Sequence, residues 1–427
     1  MQIRKTLDWQ DPLSIASGIP ATEEKWALLY SGLNHSFTGQ YSILALRAQD
    51  EVIASDFGLL ARRLSSNQNK FDNAWVGYMG YGLKNCLENL PKDLPSDMGM
   101  PDLWMVNYRL ILVFNHVKKT IEVWSESEDD LNYIPSPKEI SEPNFTTSSL
   151  SSNMTKDEYL EKVTAIKQAI TRGDLYQANL TRKFFGKITN PDFSIFCKLC
   201  RISPAPYSAF LKFGDKLILS SSPERFLQVD NNGYVDTRPI KGSAPRFSDN
   251  TKDAESKLLL QNSEKDRAEN LMIVDLSRND LSRGCVVGSV KTENLFEVTS
   301  YATVHHMAST VTGKKRNDVS TIELIKGCFP PGSMTGAPKI KAIEICSQLE
   351  KIERGVYSGV IGWLAGDGSA DLSVVIRTII INGDNFEFQV GGAIVNDSIP
   401  EEEWKETMVK AKAIAMTLEI ENLISTC

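Results

Sequence analysis

The stretch TKDEYLEKVTAIKQAITRGDLYQANLTRKFFGKI, residues 155–188, changes its pattern part-way, and that change decides the fold class. Thr155-Lys156-Asp157-Glu158 is a capping box, in which a hydroxyl and a carboxylate three residues apart satisfy each other's backbone N–H groups at a helix start. Leu160, Val163, Ile166 and Ile170 then recur at helical spacing until Gly173 stops the run, which predicts a helix of about four turns. From 179 to 188 the chain reads as a strand.

Further strand-like segments follow at 216–220, 226–229 and 233–238, and then come helices. One begins near Ser263. Another has Pro338 in its first turn, before Ile340, Ile343, Cys346 and Leu349, and a long one is expected from Pro400 to about Asn422. Upstream, residues 27–123 carry short strands such as 40–46 and 106–114, which predict a half-buried antiparallel sheet. Between Ser125 and Asn153 the composition turns to Ser, Asp, Glu, Pro and Asn, the pattern of an exposed connection, so the domain boundary is expected there. Strand runs and helix runs are segregated, which makes the class α+β with large antiparallel sheets covered by helices.

The 427 residues suffice for one large composite fold or two domains. Hydrophobic residues at 41%, charged residues at 24% and a mean hydropathy of -0.23 match a soluble globular chain. With a net charge of -7 there is no basic field to hold a polyanion, so nucleic acid is not an expected partner. No apolar run reaches signal-peptide or membrane-spanning length, and the expected location is the cytoplasm, with no membrane partner. Seven scattered cysteines suit reduced thiols. Cys197 and Cys200 form a CxxC, but with no second Cys/His pair it is an incomplete zinc site, and burial on a helix is the plainer reading.

Three groups of residues could carry chemistry. Asp266 and Glu269 share one helix face, and Glu403, Glu406 and Lys410 share another. Two such acidic pairs could converge on Mg2+, which takes carboxylate oxygens and keeps waters, although each alone is more often a solvated face. The glycine-rich turn 332–339 runs toward a helix start where amide N–H groups could hold an anion, and it lacks the Walker A pattern. Gly391-Gly392 is a second place for close backbone approach. Lys241, between Pro239-Ile240 and Gly242-Ser243, could act as a nucleophile only if burial or a neighbouring cation keeps it partly neutral.

Ser222-Pro223-Glu224-Arg225-Phe226, residues 237–243, DRAENLMIVDLSRND at 266–280, His305-His306, 329–339, 354–359, Ile376-Arg377-Thr378 and 390–410 together resemble the chorismate-utilising enzymes. Within them the pattern looks most like the component I proteins of aminodeoxychorismate synthases, in the 4-aminobenzoate (folate) branch. The likeness covers essentially the whole second half; upstream it is thinner, resting on residues 28–32 and the strand from Gln40. It implies two large antiparallel β-sheets packed as a sandwich with helices outside, with an N-terminal region similar to anthranilate synthase component I at 1–145 and a chorismate-binding catalytic domain at 153–427. It also implies a Mg2+ site at Glu269 and Glu406 with Asp266 and Glu403 in support, and an active-site histidine at His306. Ser333, Tyr357, Arg377, Gly391 and Gly392 match positions that hold the two carboxylates of chorismate, and Lys410 lies close by. Ala393 stands where the family usually has Gly.

Two positions discriminate within the family. Pro239-Ile240-Lys241-Gly242 is the form whose lysine attacks the substrate, where anthranilate synthases resemble Pro-Ile-Ala-Gly. Gln177 stands where isochorismate and salicylate synthases have a general-base lysine, and an amide cannot deprotonate water. The resemblance therefore implies amino transfer onto chorismate, with Lys241 as nucleophile and Glu224 as general acid. The alternatives are anthranilate synthase component I and a non-catalytic metabolite-binding protein. The chain has no G-x-C-x-G elbow, so ammonia is expected from a separate glutamine amidotransferase subunit.

Overall fold

The computed structural model describes residues 3–33, 38–64, 74–91, 98–148, 150–301 and 304–424. Its capping box is formed in both directions: Glu158 N–H donates to Thr155 Oγ1 at 3.3 Å, and Thr155 N–H donates to Glu158 Oε2 at 2.7 Å. The helix Lys156–Thr171 leads into the strand Gln177–Lys187, which pairs along its length with Asn385–Ile394. The named strand pairings are antiparallel.

The strand Leu103–Asn115 shows how the layers are made. Trp104, Val106, Tyr108, Ile111 and Val113 all point into one apolar cluster between the sheets. On its other face, Leu103 and Met105 join a second cluster with helices Glu264–Ser282 and Thr321–Cys328, whereas Leu110, Leu112 and Phe114 join a third with Phe193–Ile202 and Pro400–Thr417. The parity changes beside a bulge at Ala48/Asp50 in the partner strand Tyr41–Ala54, so this long antiparallel pair passes from one layer of the sandwich to the other. Helices cover both outer faces, as expected for two packed sheets. The expectation of a half-buried sheet is corrected here: Leu103–Asn115 is buried on both faces, one against the opposite sheet and one against helices.

Strand pairing also crosses the 125–153 segment. Lys25–Tyr30 pairs with Tyr207–Phe213, and Trp75–Met79 pairs with Val360–Leu364. The last helix is shorter than expected, spanning Pro400–Thr417. Glu419 adopts φ 58°, Ile420 N–H bonds back to Ala415 O at 3.0 Å, and Leu418 and Ile420 turn into the core before a short helix Glu421–Ile424. Pro338 lies just outside the helix Lys339–Glu350 as its N-cap residue. Cys197 and Cys200 are buried core residues on Phe193–Ile202. Among the described residues no helix is long and apolar enough to cross a membrane.

Candidate active site

Lys241 occupies an interruption in a strand pair. Ile240 faces Ala308 and Ser243 faces His306, so the strand Ile240–Pro245 carries one residue more than Val304–Lys314 across this interval. Gly242 takes φ 86°, and a Cβ there would sit 2.9 Å from Asp266 Oδ1, so both the turn and the neighbouring helix require glycine. The bulge takes Lys241 out of the regular ladder and into a charged cluster. Burial pushes its amine below the ordinary 10.5; Glu269 opposes that shift, Lys410 adds to it, and Glu224 and Glu406 oppose it.

Glu224 sits in the tight connection between Lys216–Ser222 and Arg225–Val229 and is 5% exposed. Burial pushes its carboxyl up to about 7, against the Ser333 hydrogen bond, the Lys241 charge and the Ile240 backbone hydrogen bond. A carboxylic acid poised there can donate a proton near neutral pH. Ser333 lies in the short 3-10 turn Gly332–Met334, and the two-residue strand Gly336–Ala337, paired with Gln177 and Ala178, separates this turn from the helix Lys339–Glu350. The glycine-rich segment therefore does not run straight into a helix start.

The four acids lie on two helices. Ser263 caps Glu264–Ser282, its Oγ accepting from Asp266 N–H at 3.3 Å, and this places Asp266 and Glu269 in the first turns. Burial raises the Glu269 carboxyl; Lys241 and Lys265 pull it down, and Asp266 and Glu406 push it up. Burial also acts to raise Glu406, but Lys410, Lys241 and Lys265 hold it below the usual range. Lys410 Nζ lies 2.6 Å from Glu406 Oε1 and donates to Gly391 O at 2.8 Å. Glu403 is buried, with Oε1 accepting from Ser398 Oγ at 2.6 Å and Oε2 lacking a protein partner. A Cβ on Gly392 would lie 3.0 Å from that oxygen.

Among the described residues no three His, Cys, Asp or Glu groups converge into a cage for a metal ion. Carboxylates that raise one another, interleaved with lysines, and one unpartnered buried carboxylate oxygen nevertheless suit Mg2+, which is usually held by one or two carboxylates, waters and an anionic substrate group.

Close to His306, Arg377 has φ 51° and a partly buried guanidinium lowered by burial, with no ion pair to a carboxylate among the described residues. His306 is pushed down to about 3 by burial and by the Arg377 charge. It is therefore neutral, with Nδ1 2.8 Å from Ser243 Oγ and a buried Nε2 lacking a protein partner. An unpaired guanidinium beside a neutral imidazole is an anion-receiving arrangement. Tyr357 is placed differently: it packs in the apolar cluster that includes Phe329 and Met334, with Arg354 and Glu350 as nearby charges.

Sequence reasoning assigned no role to the groups that brace this site. Lys339 Nζ donates to Asp280 Oδ2 at 2.7 Å and to Cys328 O at 2.9 Å, tying three helices together across the glycine-rich turn. Arg354 donates to Met334 O at 2.7 Å and to Asn179 O at 2.8 Å. The four-residue spacing of Glu350 and Arg354 was the available signal, but it straddles a helix end and reads as surface pairing.

Residues 23–416 match the pattern of the chorismate binding enzymes. The chain belongs to this family. Its relatives include aminodeoxychorismate synthase component 1 of Salmonella typhimurium, 40% identical over 352 residues that cover 82% of this chain and 77% of that protein. Anthranilate synthase component 1 of Acetivibrio thermocellus is 33% identical over 396 residues, 86% of this chain and 80% of that one. Among solved structures, anthranilate synthase component I from Streptococcus pneumoniae TIGR4 superposes with a TM-score of 0.79 at 27% identity, covering 96% of this chain and 97% of the other. The sandwich architecture expected from the sequence is thereby borne out.

Proposed function

We propose that this chorismate binding enzyme is an aminodeoxychorismate synthase component I, converting chorismate and ammonia to 4-amino-4-deoxychorismate. The carrying observation is Lys241, lifted from its strand by a bulge, lowered by burial and facing Glu224, whose carboxyl is held at about 7. Arg377 and the neutral His306 receive substrate carboxylate, and Ser333 orients Glu224. Mg2+ held by Glu269 and Glu406, with Asp266 and Glu403 in support, would draw negative charge off the substrate carboxylate. The neutral Lys241 amine then bonds to ring carbon 2, the double bonds shift, and the bond from carbon 4 to its hydroxyl breaks as Glu224 delivers a proton, releasing water. Ammonia bonds to carbon 4, the double bonds return, and the lysine leaves carbon 2 as an amine. The enolpyruvyl group stays attached.

The test is mass spectrometry of the product formed from chorismate, Mg2+ and an ammonium salt, with and without an added aminodeoxychorismate lyase. The expected product keeps the enolpyruvyl group and yields 4-aminobenzoate only with the lyase. A fluorescent aromatic product from this chain alone overturns the reading in favour of anthranilate formation.

A further inference from the structure

The bulged strand Ile240–Pro245 ends in a network that the chemistry above does not use. Arg246 Nε donates to both oxygens of Asp253, at 2.8 and 3.0 Å, and Phe247 N–H donates to Asp253 Oδ1 at 2.9 Å. The same oxygen lies 3.1 Å from His305 Nε2, while His305 Nδ1 lies 2.9 Å from Ser300 Oγ. A carboxylate only accepts, so Nε2 carries a proton and donates a hydrogen bond to Asp253. Arg246 also reaches Tyr301 O, and Ser256 Oγ donates to Pro245 O at 2.8 Å. His305 is 1% exposed and pairs in register with Ala244, next to the His306–Ser243 pair.

Three elements meet at Asp253: the end of the Lys241 strand, the helix Asn250–Asn262 that carries it, and the hairpin of Lys291–Ser300 and Val304–Lys314. The extra residue of a bulge has no ladder bond of its own, so contacts outside the ladder must help to fix where its side chain points. Arg246 and His305 close on Asp253 within a few residues of the bulge.

We propose that Asp253 is a positioning residue that, through Arg246 and His305, holds the bulged strand so that the Lys241 amine meets the substrate. The proposal rests on Lys241 being the nucleophile. The test compares wild type with Asp253→Asn, His305→Phe and His305→Gln, the last keeping an N–H for Asp253. Three quantities are read: hydrogen exchange of peptides spanning 239–247, the rate of covalent capture of Lys241 by chorismate with Mg2+ and no ammonia, and the chorismate dissociation constant. Asp253→Asn and His305→Phe should speed exchange at 243–247 and slow capture at least about tenfold, because nucleophile geometry is lost. Chorismate affinity should stay within about threefold, since Arg377 is untouched. His305→Gln should recover most of the capture rate. Unchanged exchange and capture, or a capture rate that falls only as binding weakens, overturns the proposal. If wild type captures nothing on Lys241, the nucleophile reading fails, and exchange alone then decides whether Asp253 clamps the strand.

Discussion

Arg354 and Glu350 form a bidentate pair in the interior, with Nη2 2.7 Å from Oε1, Nε 2.9 Å from Oε2 and both side chains 2% exposed. Glu350 Oε1 also accepts from Thr181 N–H at 2.9 Å, and Gln389 donates to Arg354 O at 2.9 Å, so one ion pair joins the end of a helix to two central strands. Glu350→Gln leaves the guanidinium buried without its counter-charge and should cost about 3–5 kcal/mol in urea unfolding. A loss below about 1 kcal/mol, the range of exposed pairs, contradicts this account.

Glu224 as general acid gives activity a falling limb as pH rises through about 7. Glu224→Gln should lower kcat by roughly 10²–10⁴-fold and abolish that limb. The sign for stability follows from the same shift. A folded-state value near 7 against an ordinary 4.5 means that protonation favours the fold. That contribution is fully present below 4.5 and disappears as pH rises to about 7. Urea midpoints of the Gln variant should therefore fall less over this window than those of wild type, and parallel curves would count against the shift.

Lys241→Ala should abolish turnover by the covalent route. Peptide mass spectra of wild type with chorismate and Mg2+ but no ammonia should carry an adduct on Lys241, absent from the variant. Because burial lowers this amine while the same step needs a protonated Glu224, capture should follow a bell-shaped pH profile, with a rising limb below the ordinary lysine value of 10.5 and a falling limb as Glu224 loses its proton. An adduct on any other lysine transfers the role elsewhere.

Glu269→Gln and Glu406→Gln should both raise the Mg2+ concentration needed for half-maximal activity, by about tenfold or more, while the fold persists. In the metal-free protein Glu269 and Glu406 disfavour each other's charge, so neutralising Glu269 relieves repulsion. Titrations that coincide with wild type would return both carboxylates to the status of a solvated helix face.

The purified chain should use ammonium and not glutamine, and gain glutamine-dependent turnover when a glutamine amidotransferase subunit is added. The described cysteines other than Cys86 are buried, and burial raises the thiols of Cys197, Cys200, Cys285, Cys328 and Cys346, the opposite of an activated nucleophile. Turnover with glutamine alone, free of contaminating glutaminase, would disprove the need for a partner.

Local chemistry made much of this legible in advance. The capping box at Thr155, the N-cap at Ser263 and the alternation of apolar residues set helix and strand starts through contacts within a few residues, and motif order along the chain placed Lys241, Glu224, Glu269, Glu406 and Arg377 in one family pattern. Less legible was anything set by distant neighbours, such as the full burial of Leu103–Asn115 or the turn at Glu419 that ends the last long helix.

By itself, then, the sequence determined the α+β class, the element starts and the inventory of acids, lysines and glycines, because these follow from short-range hydrogen bonding and periodicity. Only the tertiary structure decided which of those groups carry unusual protonation. Lys241 is lowered because a bulge turns it into a half-buried space shared with Glu224, Glu269, Glu406 and Lys410, four residues from three other parts of the chain. Asp253 and His305 meet across 52 positions of sequence, and no local pattern specifies such a contact. Desolvation and Coulomb interaction depend on distances in space, which the chain acquires only when its sheets pack.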